Sequence, residues 1–226
     1  MASYSSPSSL DSQAAQTRST GCLRRFLLPP VSVILVGALL ALFLTQIQVD
    51  LAETAPLPEP QVSPSPNLIA PLFTPEVLAW EEKILVWSDT YQLDPNLIAT
   101  VMQIESCGFS RAESPVGAKG LFQVMPYHFL EGEDPYHPGT NARRGLNYLR
   151  QALESGGNAR LALAGYNGGI NGAKNPEEQW PDETVRYVYW GLKIYKDARA
   201  GKDYSPRLEE WLNSGGSSLC RLARKN

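Results

Sequence analysis

Asp94 followed by Pro95 is the clearest helix start in the chain. An Asp side chain accepts hydrogen bonds from the open N–H groups of a first helical turn, and proline already holds the φ that the first residue needs. The helix it opens carries Ile98 and Met102 one turn apart, with Glu105 next on the same apolar stripe. Beyond Glu105 the glycines Gly108, Gly117 and Gly120 break the helix into a loop that runs to Pro126. A carboxylate at the end of an apolar face is either buried neutral at a cost or held over a cleft where its proton is used.

The segments around it read as more helices. Thr74 and Pro75 open one that runs to about Tyr91, with Leu78, Trp80, Ile84, Leu85 and Trp87 as a wide apolar face. Its tryptophans are read as core, not as a sugar platform. Thr140 or Asn141 opens another, with Ala142, Leu146, Leu149 and Leu153 at helical spacing and Ser155-Gly156-Gly157 as its end. Asn158 caps a fourth, Ala159 to Tyr166. Asp182 caps a fifth, in which Val185, Val188, Leu192 and Tyr195 form one stripe and Glu183, Tyr187 and Trp190 a second. A helix with two occupied faces suits one wall of a cleft. Pro206 to Leu212 has the pattern of a short helix. No alternating strand pattern occurs, so the fold class expected is mainly α.

The N-terminal third is organised differently. Residues 1–25 read as a disordered cytoplasmic tail rich in Ser, Ala, Gln and Thr. Residues 26–49 are uncharged, about the ~20 residues a bilayer helix needs. Arg18, Arg24 and Arg25 precede this run and Asp50 and Glu53 follow it, which places the N-terminus inside and the bulk outside. The reading adopted is an uncleaved single-pass anchor; a cleaved signal ending at Ala55 would put Glu53 at its −3 position. Residues 50–74 form a Pro-rich linker, with prolines at 56, 58, 60, 64, 66 and 71. Such a stretch is extended and semi-rigid, a stalk between membrane and domain. Residues 75–200 are the folded helical domain and 201–226 a C-terminal tail.

At 226 residues with net charge −3, the chain lacks the basic footprint of a nucleic-acid binder. It has two histidines, His128 and His137, and three cysteines, from which no zinc-ligand spacing can be drawn. No cofactor is expected. On the outer side of a membrane, Cys107 and Cys220 either pair as a disulfide or stay as two free thiols.

Three separated segments carry a family resemblance. Glu105-Ser106, Ser114-Pro115-Val116-Gly117-Ala118 and Gly120-Leu121-Phe122-Gln123-Val124-Met125-Pro126 together resemble the active-site segment of the soluble-lytic-transglycosylase (SLT) family, related in fold to goose-type lysozyme. Gly165-Tyr166-Asn167-Gly168-Gly169 resembles that family's Ala-Tyr-Asn-Ala-Gly segment, and Glu183-Thr184-Val185-Arg186-Tyr187-Val188 its Glu-Thr-x-x-Tyr-Val helix. The resemblance spans roughly Leu93 to Tyr195 and implies a lysozyme-like catalytic domain. It implies an enzyme that cuts the β-1,4 bond between N-acetylmuramic acid and N-acetylglucosamine of peptidoglycan strands, leaving 1,6-anhydro ends. By matching position, Glu105 is the acid and then the base. Ser114, Gln123 and Met125 line the sugar subsites, Tyr166 and Asn167 close the far side, Glu183 lies near the peptide stem, and Tyr187 steadies the carboxylate. Gly165 and Gly168 stand where the family has alanines, which predicts a looser turn. Tyr127-His128-Phe129 stands where the family often has a small residue and Thr. His128 by itself reads as a surface or packing residue.

One acid without a partner is the chemical point. Glu113 sits in a loop, and Asp94 lies about three turns away, ~16 Å at 1.5 Å per residue. Ordinary glycosidases use two carboxylates, whereas a substrate that supplies its own nucleophile needs one. The alternatives are a lysozyme-type hydrolase and a non-catalytic glycan-binding module on the same fold.

Overall fold

The computed structural model describes residues 68–225, which belong to the unit formed by Val62–Asn226. The expected tail 1–25, anchor 26–49 and most of the linker 50–74 lie outside the described residues. No described helix is long and apolar enough to cross a membrane.

The described chain is helical: α1 (Pro75–Leu78), α2 (Glu81–Tyr91), α3 (Pro95–Glu105), α4 (Pro138–Gly156), α5 (Ala159–Gly168), α6 (Asp182–Arg199), α7 (Pro206–Trp211) and α8 (Ser217–Ala223). Among the described residues the only β pairing is a pair of isolated bridges, Glu113 with Lys119 and Lys119 with Val124. Helix α3 starts as its sequence dictates, with Asp94 Oδ1 accepting from Asn96 N at 2.8 Å and Pro95 as first residue. It is the central element. Ile98, Ala99, Val101 and Met102 have no exposed surface, and each large apolar side chain buried this way contributes about 1.5–3 kcal/mol. Helix α3 packs on α2 and α6, and α5 is sandwiched between α4 and α6.

Several boundaries differ from the sequence expectation, each for a local reason. The first helix is two: Trp80 leaves helical geometry (φ −97°, ψ 4°) and its indole N–H donates to Gly108 O at 3.0 Å. Helix α4 begins at Pro138, not at Thr140 or Asn141, because His137 is its N-cap and accepts from Thr140 N. That frees Asn141 for another role. Asp182 is not a cap either; Pro181 holds that position and Asp182 is the first helical residue. The buried stripe of α6 is Thr184, Tyr187, Val188, Gly191, Ile194, Tyr195 and Ala198, so Tyr187 faces inward with the core stripe.

Two buried side chains fix the loop from Ser106 to Pro126. Ser106 Oγ donates to Leu121 O at 2.7 Å and accepts from Gly108 N. Asn141 Oδ1 accepts from Phe122 N at 2.8 Å while its Nδ2 donates to Lys119 O and Pro135 O. This close approach requires Gly120. Its φ is +75°, and a Cβ there would lie 2.4 Å from Asn141 Nδ2.

The segment after α6 is folded as well. Asp197, 1% exposed, pairs with Lys193 and Lys202 and accepts from Ser205 Oγ, which also caps α7. Leu208, Trp211 and Cys220 join the core. Cys107 and Cys220 are bonded, with Cα atoms 5.0 Å apart and a separation of 113 positions in sequence. Arg224 pairs with the mostly buried Glu76 beside the bridge.

Two measurements test these anchors. Asn141→Ala strands the buried Phe122 N–H and is expected to lower the urea-derived unfolding free energy by about 2–4 kcal/mol. Replacing both Cys107 and Cys220 with Ala is expected to cost about 2–5 kcal/mol. An unchanged midpoint in either variant would show that the corresponding anchor contributes nothing.

Candidate active site

The C-terminal turn of α3 delivers Glu105 to the floor of a cleft of about 530 Å³. The 114–128 loop forms one wall, with Ser114, Gln123 and Met125 facing in. The opposite side is built from α4, the end of α5 and the start of α6, through Arg144, Tyr148, Tyr166, Asn167 and Glu183. The cleft thus brings together Glu105, Ser114, Gln123, Met125, Tyr166, Asn167 and Glu183. Tyr187 is not on its surface; it is buried directly behind the acid.

Glu105 keeps partial access to the cleft but is surrounded by protein atoms. Burial, the dominant influence, pushes its carboxyl up to about 8, because a charge there would lose its water. The Tyr187 hydroxyl opposes this, and after it the negative Glu183 adds to the rise. The Tyr187 hydroxyl has no hydrogen-bond partner of ordinary geometry, so its approach to Glu105 is a close contact and not a formed bond. Burial, and after it the nearby Glu105 charge, also hold the Tyr166 and Tyr187 phenols far above the ordinary tyrosine range, so both stay neutral donors.

The polar groups around the acid are held by the backbone. Gln123 adopts a left-handed φ of 44°, a conformation that costs an ordinary residue roughly 1–2 kcal/mol. Its Nε2 compensates by donating to Gly120 O at 3.0 Å and Ala112 O at 3.3 Å, which leaves Oε1 as the free acceptor. Ser114 Oγ accepts from Ala118 N at 3.0 Å and keeps its own proton for a ligand. Tyr166 Oη donates to Phe122 O at 2.7 Å, tying α5 to the loop wall. Asn167 Oδ1 accepts from Thr184 Oγ1 at 2.8 Å, which fixes the amide against α6.

The expected looseness at Gly165 and Gly168 is not found. A Cβ at Gly168 would meet Thr184 Oγ1 at 2.5 Å, and one at Gly165 would press on Ala152 and Ile170. These glycines serve close packing of α5 against its neighbours. Phe122 is fully buried core, whereas Met125 stays at the cleft.

Sequence reasoning missed Ser106 and Asn141 as organisers, and Arg144 and Tyr148 as cleft residues. The last two lie four apart on α4, off its Ala142–Leu146–Leu149 stripe, a second face the pattern already contained. Glu133 holds Arg144 through both of its carboxylate oxygens. The hydrogen bonds from Arg144, with one from Leu130 N, hold the Glu133 carboxyl down to about 2. The acidic stretch before α4 therefore braces the cleft wall. Glu113 faces away, bound to Lys119 and Tyr136, and Asp94 serves the other end of α3.

Part of the chain is similar to known proteins. Residues 82–186 match the family model of the transglycosylase SLT domain. A transglycosylase of Enterobacteria phage PRD1 is 40% identical over 112 residues, covering 49% of this chain and 40% of the phage protein. The chain thus spans less than half the length of that relative. Among solved structures, an inactive variant of the lytic transglycosylase Slt from Pseudomonas aeruginosa matches at 25% identity with a TM-score of 0.47, over 57% of this chain and 25% of that one. The segment matched by the transglycosylase SLT domain contains the acid, the loop wall and the start of α6, so this part of the chain is similar to that family's domain.

Proposed function

We propose that this chain is a peptidoglycan lytic transglycosylase that cleaves the β-1,4 bond between N-acetylmuramic acid and N-acetylglucosamine, with Glu105 as general acid and then general base. The observation that carries this reading is a carboxyl pushed up to about 8 at the floor of a sugar-sized cleft, protonated at neutral pH before any substrate arrives.

The protonated Glu105 gives its proton to the leaving glycosidic oxygen as the C1–O bond breaks. The muramoyl C6 hydroxyl closes on C1, and its proton returns to the Glu105 carboxylate. Atoms and charge balance, and no water enters. The Tyr187 hydroxyl, buried behind the acid, is placed to donate to the carboxylate in its ionised interval. Ser114 Oγ–H and Gln123 Oε1 offer a donor and an acceptor for N-acetyl and hydroxyl groups, with Met125 as apolar contact. Tyr166 and Asn167 hold the opposite wall, and Glu183 at the exposed rim suits an approach to the peptide stem.

The second reading is a lysozyme-type hydrolase, since Glu183 gives the cleft a second carboxylate. For localisation, the uncharged run 26–49 preceded by arginines supports a single-pass anchor with this domain on the cell-wall side of a bacterial membrane. The Cys107–Cys220 bridge supports the same side, since disulfides persist outside a reducing cytosol.

Digestion of purified sacculi followed by mass spectrometry tests the reaction. Anhydro-muropeptides are expected; reducing muropeptides would replace this reading with hydrolysis, and no release would indicate a binding module. Glu105→Gln is expected to lose turnover by at least ~100-fold, the lower end of a general acid's contribution, and retained turnover would remove Glu105 from the mechanism. Wild-type turnover should fall along a one-proton alkaline limb as pH rises through about 8.

Stability gives an independent check of the same carboxyl. Its folded pKa is raised, so the unfolded chain loses this proton first, and wild-type stability declines as pH rises from about 4.5 to about 8. Glu105→Gln should therefore be more stable than wild type at pH 8, by up to about 5 kcal/mol, and no more stable below pH ~4.5. Equal differences at both pH values would disprove the raised pKa.

A further inference from the structure

The turn after Pro126 carries Tyr127 and His128, and these side chains are not packed away. Tyr127 is 76% exposed, yet it lines the cleft that holds Glu105. Its ring lies 4.5 Å from that of His128, which is 5.4 Å from Tyr148, which in turn is 6.0 Å from Tyr166. An unbroken row of aromatic rings therefore descends from the cleft rim to Tyr166. The last of these, Tyr166, is coupled electrostatically to Glu105.

The outer half of this row, Tyr127 and His128, is exposed. Tyr166 is committed to Phe122 O, and its neighbour Tyr148 is half-buried. Tyr127 buries little, so its exposure is not repaid by core packing. Exposed aromatic surface continuous with a ligand cleft is the usual mark of a recognition surface. Val116, also 76% exposed, extends the apolar rim on the same loop wall. A pyranose offers one face of axial C–H bonds that carry partial positive charge. Such a face fits against the negative face of an aromatic ring, while the sugar hydroxyls stay solvated at its edge.

We propose that Tyr127, His128 and Tyr148 form a stacking subsite for an N-acetylhexosamine unit of the glycan strand beyond the scissile bond. The subsite is built on the chain's own Tyr127-His128 pair and on the cleft-facing side of α4, and it deepens the transglycosylase reading by naming what holds the neighbouring sugar. Its role is binding. It lowers KM for long strands and contributes little to the bond-breaking step.

The test uses the full chain. Binding of a soluble N-acetylglucosamine hexamer is measured by calorimetry with Glu105→Gln, in which no turnover competes. Adding Tyr127→Ala or Tyr148→Ala to that variant is expected to weaken binding about fivefold or more, and Tyr127→Trp to preserve it. In the active chain, Tyr127→Ala should raise KM on sacculi by a similar factor with a much smaller change in kcat. Thermal unfolding should not move for the exposed Tyr127 site. Wild-type affinity and KM in both alanine variants would overturn the subsite. If the wild type releases no anhydro-muropeptides but the hexamer still binds and is lost on Tyr127→Ala, the subsite stands and the transglycosylase reading falls.

Discussion

Three hydrogen bonds to one amide organise this molecule's chemistry: Asn141 receives Phe122 N–H and donates to Lys119 O and Pro135 O. The loop between α3 and α4 has only two isolated bridges and one 3-10 turn, Pro126–His128, to satisfy its backbone. In a buried position that deficit would be prohibitive. Asn141, with Ser106 from the helix side, supplies the missing partners and sets the loop wall at a fixed distance from the carboxyl of Glu105. Other cleft features inherit that placement. Tyr166 reaches Phe122 O because Phe122 is already held, and the left-handed Gln123 is tolerated because its amide closes on the same turn.

Glu105 then acquires its properties from position, not from a partner. Its helix is buried along nearly its whole length, and the helix's last turn meets the cleft. The carboxyl is therefore close enough to solvent for a ligand to touch it and deep enough that ionisation is opposed. An ion pair would have abolished this balance. The cations near the cleft are occupied elsewhere: Arg144 is held by Glu133, and Lys119 faces Glu113 and Tyr136 outside it.

Much of this was legible in the sequence where local rules dominate. The Asp94–Pro95 start, the Asn158 cap and the Gly157 stop follow from capping geometry, and all occur. The apolar stripe ending at Glu105 indicated where the acid would stand. What remained hidden was long-range. Nothing in the periodicity of α4 says that Asn141 serves a loop twenty residues earlier, and the same residue was read as a helix start because Asn favours that place. The glycines of α5 were read through backbone freedom, whereas Gly168 is set by a neighbour's side chain. Tyr127 and His128 carried no signal as individual residues, because a row of rings exists only after folding.

The Cys107–Cys220 bridge joins residues separated by 113 positions. During synthesis, the first cysteine must therefore wait while the whole cleft-forming chain is made, about 6–20 s at typical ribosomal rates. In that interval Cys107, just past the end of the acid-bearing helix, carries an open thiol. Closing the staple therefore has to follow the arrival of the segment that carries Cys220, and before then a thiol oxidant has only a foreign sulfur to offer Cys107 on its side of the membrane.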